Sequence, residues 1–155
     1  MGRGGGVRGV RRVGGVGGSG RGWNGSCCPV AVGFRYEKLI AWQRADDLYL
    51  ELHLLTKSRF PAEEKYELSA QLRRAAFSVA ANIAEGFART PGKDRLRFLR
   101  ISWGSLAEVA YCVHVARRLG YVDEETHFAC RQRVDQVGPP LMGLIRAELK
   151  RIRSL

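Results

Sequence analysis

A polar ladder runs through one of the least polar stretches of the chain. In the run from Gln71 to Gly86, residues Arg74, Ser78, Asn82 and Glu85 recur at steps of four, four and three, so they share one face of a helix. Ser105 and Glu108, one turn apart further along, are candidate partners for that face. Glu85 and Glu108 brought together in a dry setting would form paired carboxylates with raised pKa values, suited to acid–base work. The same residues read more simply as an ion-pair and amide network that fixes helix register, with Arg74 neutralising Glu108 or Glu85. Leaving a buried polar atom unpaired costs about 1–3 kcal/mol, so such a face demands a partner surface on a neighbouring helix or another copy of the chain. The structural reading is preferred, because no nucleophile, base and orienting group gather around the ladder. No catalytic residue is assigned and no enzymatic activity is expected.

Metal chemistry fares worse. A carboxylate-bridged di-iron bundle uses Glu-x-x-His on two helices, which puts both ligands on one face. Here the spacings are Glu51-Leu-His53 and Glu125-Thr-His127, which point the side chains apart. His127 and Cys130 share a helical face, but two ligands do not make a zinc site, and His53 and His114 are isolated. Neither a metal nor any other cofactor is expected.

The third group is cationic. Lys93, Arg97 and Arg100 repeat at helical spacing, with Arg89 one turn back in the preceding linker, and Arg146, Lys150 and Arg153 do the same near the C-terminal end. Such stripes are commonly solvated faces. They are also phosphate-binding surfaces, whose contacts add through counterion release and carry little base specificity. Their expected ligand is RNA or DNA, structured RNA above all. The alternative is a structural or protein-docking oligomer whose charge serves solubility or an acidic partner.

These groups need elements to hold them. The chain has 155 residues, 45% hydrophobic and 26% charged, with a formal net charge of +11. Such a length suits one domain with a real core. Residues 1–33 carry 13 of the 19 glycines, five arginines and no acid, and lack hydrophobic periodicity. They are expected to be a disordered Gly/Arg-rich tail. Two other readings stay open for this tail. One is an untranslated segment ahead of a start at Val30 or Val32; the other is an arginine-glycine RNA-binding arm around Gly2-Arg-Gly-Gly-Gly6. No apolar run is long enough to span a bilayer, and Arg11-Arg12 is not followed by the apolar region of an export signal. With Cys27, Cys28, Cys112 and Cys130 showing no disulfide framework, a cytoplasmic protein without membrane association is expected.

From 34 to 155 the apolar spacing predicts an all-α domain of four helices. The first, about Tyr36 to Lys57, carries Trp42, Ala45, Leu48, Tyr49, Leu52 and Leu55, and stops before Phe60-Pro61. Glu63 and Glu64 open the second, whose face is Leu68, Leu72, Ala75, Ala76, Val79 and Ile83. Thr90-Pro91 caps the third, which runs to about Leu119 and buries Leu96, Leu99, Trp103, Leu106, Val109 and Val113. Gly120 is its expected left-handed cap, and Asp123 opens the fourth. Gly138-Pro139-Pro140 predicts a kink or break in that last helix, with Pro139 starting a second segment, because an interior proline costs about 3 kcal/mol. Short connections predict an antiparallel up-down-up-down four-helix bundle. Trp42, Tyr49, Phe77, Phe87 and Trp103 exceed what one bundle core needs, which makes some of them candidates for intersubunit contacts.

The chain from about Phe34 to Arg153 resembles the small four helix bundle protein family, some members of which are encoded in intervening sequences within large-subunit ribosomal RNA genes. The resemblance is carried by Leu39-Ile-Ala-Trp-Gln43, Thr56 with Phe60-Pro61, Glu64-Lys-Tyr-Glu-Leu68 and Gln71-Leu-Arg-Arg74. It continues through Ser78, Asn82-Ile-Ala-Glu-Gly86, Arg97-Phe-Leu99, Gly104-Ser-Leu-Ala-Glu108 and Leu119-Gly-Tyr121. The tail, Trp103 and the double proline depart from the family pattern. The resemblance implies a homo-oligomer, often a five-membered ring, with no established enzymatic activity. The chain is also similar to the accessory variability proteins of diversity-generating retroelements, basic pentameric bundles, which implies a reverse transcriptase and its template RNA as possible partners.

Overall fold

The computed structural model describes residues 33–154; the expectations for residues 1–32 lie outside them. Four helices account for most of this region, and no strand occurs among the described residues: α1 (Ile40–Arg59), α2 (Leu68–Ala88), α3 (Lys93–Arg118) and α4 (Glu124–Arg153). Each helix packs on its neighbour in sequence, and α1 closes the bundle against α4. Across α2 and α3 the pairs are Gln71 with Glu108, Ser78 with Ser105, and Gly86 with Arg95, so the two helices run in opposite senses. Arg44 with Gln136 and Glu51 with Arg133 show the same for α1 and α4.

The core is built from the apolar faces read in the sequence for the first three helices, joined by a face of α4. Ala45, Leu48 and Leu52 of α1 meet Leu72, Val79 and Ile83 of α2, Leu99, Val109 and Val113 of α3, and Val137 and Leu141 of α4, all at most 1% exposed. Trp42, Tyr49, Leu55 and Leu68 are half-buried at its edge. Trp103 does not join it and stays 38% exposed. The inward position goes instead to Ser102, whose hydroxyl donates to the Val79 carbonyl at 2.8 Å and draws α3 close to the α2 backbone. That turns the indole outward to lie over Gly138 of α4, where an added Cβ would sit 3.9 Å from the ring.

The helix ends depart from expectation in instructive ways. Arg35–Lys38 forms a separate 3-10 turn, and extended Leu39 delays α1 until Ile40. Glu63 and Glu64 also sit in a 3-10 turn, Ala62–Tyr66, ahead of α2. From there the Glu64 carboxylate accepts from the Leu68 N–H at 3.0 Å, so the acid caps the helix from outside it. Its other oxygen accepts from the Tyr121 hydroxyl at 2.7 Å, which raises the Tyr121 pKa above the usual phenol value. At the end of α3, Gly120 adopts φ 75° and donates to the Arg117 carbonyl, while Tyr121 N–H donates to that of Ala116. Asp123 caps α4 by accepting from Thr126 N–H at 2.8 Å, and hydrogen bonding from the Thr126 side chain, with this backbone bond, holds the Asp123 carboxyl below its ordinary pKa.

Of the kink or break expected at Pro139-Pro140, the break and the second segment starting at Pro139 do not occur: α4 runs from Glu124 to Arg153 with both prolines inside it. Proline 140 lacks the N–H that would serve the carbonyl four residues earlier, that of Gln136. Arg44 of α1 supplies the missing donor, its Nη1 lying 2.8 Å from the Gln136 oxygen. Asp135, whose carbonyl loses the Pro139 donor, is on the exposed side and open to water.

At one end of the bundle a buried ion pair joins three helices. Glu148 of α4 is 5% exposed. One of its oxygens accepts from Arg95 Nη1 at 3.1 Å, the other from the Gly92 N–H at 2.8 Å. Gly92 precedes α3 with φ 112°, a conformation that favours glycine. The expected cap from Thr90 is thus replaced by a carboxylate from another helix. Arg95 in turn donates to the carbonyls of Gly86 (3.2 Å) and Arg89 (3.3 Å) at the end of α2, and its guanidinium lies 4.4 Å from the centre of the Phe87 ring. Gly86 is required by space: an added Cβ would meet the Phe98 Cβ at 3.2 Å and the Arg95 carbonyl at 3.4 Å.

Two stability outcomes follow. Arg44→Ala is expected to cost about 1 kcal/mol in the native chain and far less in a Pro140→Ala background, where alanine restores the backbone donor. A urea-denaturation double-mutant cycle reads the coupling, and equal losses in both backgrounds would refute the substitution of side chain for backbone. Glu148→Ala is expected to destabilise by about 3 kcal/mol, because it strands a buried guanidinium and a helix-cap N–H; the shift of the urea midpoint at constant m-value measures it.

Candidate nucleic-acid interface

The ladder divides into three parts. Ser78 and Ser105 hydroxyls meet across α2 and α3 at 2.8 Å, and Asn82 Nδ2 donates to both the Ser78 hydroxyl (2.9 Å) and its carbonyl (2.8 Å). Arg74 reaches Glu108 only through a relay: it donates to Gln71 Oε1 at 2.7 Å, and Gln71 Nε2 donates to the Glu108 carboxylate. Arg74 does not neutralise Glu108 directly, since Gln71, one turn earlier on the same face, intervenes; nor does it neutralise Glu85, which lies about 16 Å further along α2 at 1.5 Å per residue. Glu85 pairs with Arg89 four residues on, with side chains 44% and 55% exposed, so the pair is well hydrated and adds little stability.

Glu85 and Glu108 do not form a carboxylate pair. Glu108 meets Gln71, which lies about 21 Å along α2 from Glu85 at 1.5 Å per residue. Burial raises the thiol pKa of both Cys112 and Cys130 above its ordinary value, with Glu108 and Glu51 adding to the respective shifts, so neither thiol is activated as a nucleophile. Among the described residues no group of three His, Cys, Asp or Glu side chains converges as a metal site would require. No described helix is long and apolar enough to cross a membrane.

Lys93, Arg97 and Arg100 on α3, and Arg146, Lys150 and Arg153 on α4, are all exposed. Among the described residues, no carboxylate lies within 4.0 Å of any of these six cations. The two stripes occupy the same end of the bundle, because the buried Arg95–Glu148 pair falls within each of them in sequence. A groove of about 440 Å³ lies among Lys93, Leu96, Arg97, Arg100 and Ile101. Lys150 and Arg153 also stand in the last turn of α4, where cations favour the negative end of the helix dipole. Arg89 differs from the six. Its Nε donates to Glu85 at 2.9 Å and its guanidinium lies 5.5 Å from the Phe98 ring centre, so its charge is already partnered.

Sequence reasoning missed Gln71, Ser102, Arg95 and Glu148 as members of these networks. A signal existed for Glu148: it follows Leu141 and Ile145 at steps of four and three, on the buried register of α4.

Comparison with known proteins bears on this architecture. The comparison with curated proteins returns no match. Among solved structures, the chain is similar to a Bacteroides thetaiotaomicron protein of unknown function from the S23 ribosomal protein family. The two are 19% identical with a TM-score of 0.63, over 68% of this chain and 98% of that one, a likeness of fold. The sequence model of the 23S rRNA-intervening sequence proteins matches residues 37–143, which span α1 to most of α4. A four-helix chain whose match takes in the polar ladder, the α3 stripe and both prolines therefore belongs to the 23S rRNA-intervening sequence protein family.

Proposed function

We propose that the protein is a non-enzymatic, homo-oligomeric helical bundle that binds nucleic acid, structured RNA above all, through the cationic end formed by α3 and α4. The observation that carries this reading is the set of six exposed, carboxylate-free cations on two helices held side by side by a buried ion pair. A surface of one sign attracts polyanions at long range, and contacts through lysine and arginine to phosphates add up without reading bases. The family's link to ribosomal RNA genes agrees with an RNA ligand.

Assembly belongs to the same proposal. Trp103, Leu106, Val134, Pro139 and Met142 line an apolar groove of about 480 Å³ between α3 and α4, and α1 exposes Leu50 and Leu54 on its outer face. A ring of identical subunits, five in the arrangement the resemblance implies, would repeat the cationic end around an axis. The same apolar groove supports the second reading, a docking oligomer that engages a protein such as a reverse transcriptase without touching nucleic acid. Light scattering coupled to size exclusion reads the subunit number.

A salt titration separates the two readings. RNA affinity is expected to fall steeply with salt, and replacing Lys93, Arg97 and Arg100 together with alanine is expected to reduce the slope of log K against log salt by about 2–3. Affinity that ignores ionic strength, or a slope untouched by the triple substitution, would favour protein docking.

A further inference from the structure

A second cationic surface lies on the opposite pair of helices, and it differs from the first in carrying aromatic rings. Two adjoining depressions of about 480 and 320 Å³ follow the groove between α1 and α2 and share His53 and Arg73. The first is also lined by Lys57 and Lys65, the second by Arg74, Tyr49 and Phe77. No acid lines either one. Glu64, the nearby acid whose bonds are defined, is turned away to Leu68 N–H and the Tyr121 hydroxyl.

Arg73 is held in place by two neutral acceptors. Its Nη1 donates to Thr56 Oγ1 at 3.3 Å and its Nη2 to the Lys65 carbonyl at 3.2 Å. Thr56, only 4% exposed, is fixed by donating its own hydroxyl to the His53 carbonyl at 2.9 Å. Both acceptors of the guanidinium are neutral, and among the described residues no carboxylate lies within 4.0 Å of Arg73, Lys57 or Lys65. The half-buried Arg73 charge is therefore positioned but uncompensated. His53 Nδ1, buried and without a hydrogen-bond partner, borders the same space. Beside it Phe77 is 58% exposed and steadied by an edge contact to Tyr49, the ring centres 5.7 Å apart at 71°. A large apolar ring kept in water beside cations without counterions is the arrangement by which proteins hold unpaired bases: the ring takes the base and the cations take the phosphates.

We propose that the α1–α2 groove binds an unpaired nucleotide of single-stranded RNA, with the base against Phe77 and the adjoining phosphate at Arg73, Lys57 and Lys65. The site rests on the nucleic-acid reading above only for the class of ligand, since it uses other helices and none of the six stripe cations. A strand engaged at both surfaces would contribute a duplex or folded part to α3 and α4 and an unpaired part to α1 and α2.

Two probes distinguish the surfaces: an oligouridine strand of about eight nucleotides, within the usual span of a single-strand site, and a blunt RNA duplex. Phe77→Ala and Arg73→Gln are each expected to weaken oligouridine binding about tenfold and to leave duplex binding unchanged, a loss within the range for one stacked base. The triple alanine substitution of Lys93, Arg97 and Arg100 is expected to weaken the duplex. Circular dichroism and size exclusion check that each variant keeps its helix content and assembly. Oligouridine binding that is absent in the native protein, or unchanged in both groove variants, would overturn the groove whatever the duplex does. Duplex binding that is absent in the native protein, or unchanged in the triple variant, would remove the stripes, while oligouridine binding lost in the groove variants would still uphold the groove. A changed oligomeric mass in Phe77→Ala with oligouridine affinity intact would also overturn it, and would assign Phe77 to an intersubunit contact.

Discussion

The Arg95–Glu148 pair is the constraint on which the arrangement of the helices depends. A carboxylate and a guanidinium withdrawn from water are tolerated only when nearly every lone pair and N–H finds a partner. Here those partners are the first N–H at the start of α3 and two carbonyls at the end of α2, so satisfying the charges and closing the α2–α3 turn are one event. Gly86 permits the close approach and Gly92 supplies the backbone angle. With the ends of α2, α3 and α4 tied at one point, the cations on the outer faces of α3 and α4 share an end of the molecule. The buried acid at this end is taken up by Arg95, and only Arg151, at 3.8 Å, approaches it from outside.

A small-residue seam complements this clasp along the length of α2 and α3. Ser102 donates to the α2 backbone, Ser78 meets Ser105, and Ala75 and Ala76 are at most 3% exposed. Short polar side chains let the backbones approach while keeping each hydroxyl paired, and a misregistered packing would leave them unsatisfied. The ladder is in this sense a set of register marks, most specific at its centre and nearly free at Glu85.

The parts of the fold that follow from periodicity were legible: the apolar faces of α1, α2 and α3, the proline stop after α1, and the caps at Gly120 and Asp123 are local consequences of residue type and spacing. The parts that failed were tertiary. Thr90-Pro91 looked like a cap because nothing in the neighbouring sequence announces a carboxylate arriving from Glu148. Glu148 itself was masked by the basic residues around it, although its spacing from Ile145 placed it on the core side. Trp103 was assigned to the core on hydrophobicity, whereas the one-residue rotation that favours Ser102 is decided by the neighbouring helix. The stripes were legible as cations but not as lying at the same end of the bundle, and the α1–α2 groove was not legible at all. Lys57, Lys65 and Arg73 come from three different elements, and only the fold reveals that no acid separates them.

The continuity of α4 has a wider meaning for how the chain acquires its structure. A helix that carries two interior prolines cannot complete its own hydrogen bonding, and here the deficit at Gln136 is met by a residue some ninety positions earlier. The last helix is therefore supported by the first. The contact that meets the deficit joins the two ends of the domain, a long-range pairing of the kind that slows folding. Whatever loosens α1 also softens the middle of α4, beside the groove where Trp103 lies over Gly138, so an event on one side of the bundle has a mechanical route to the other.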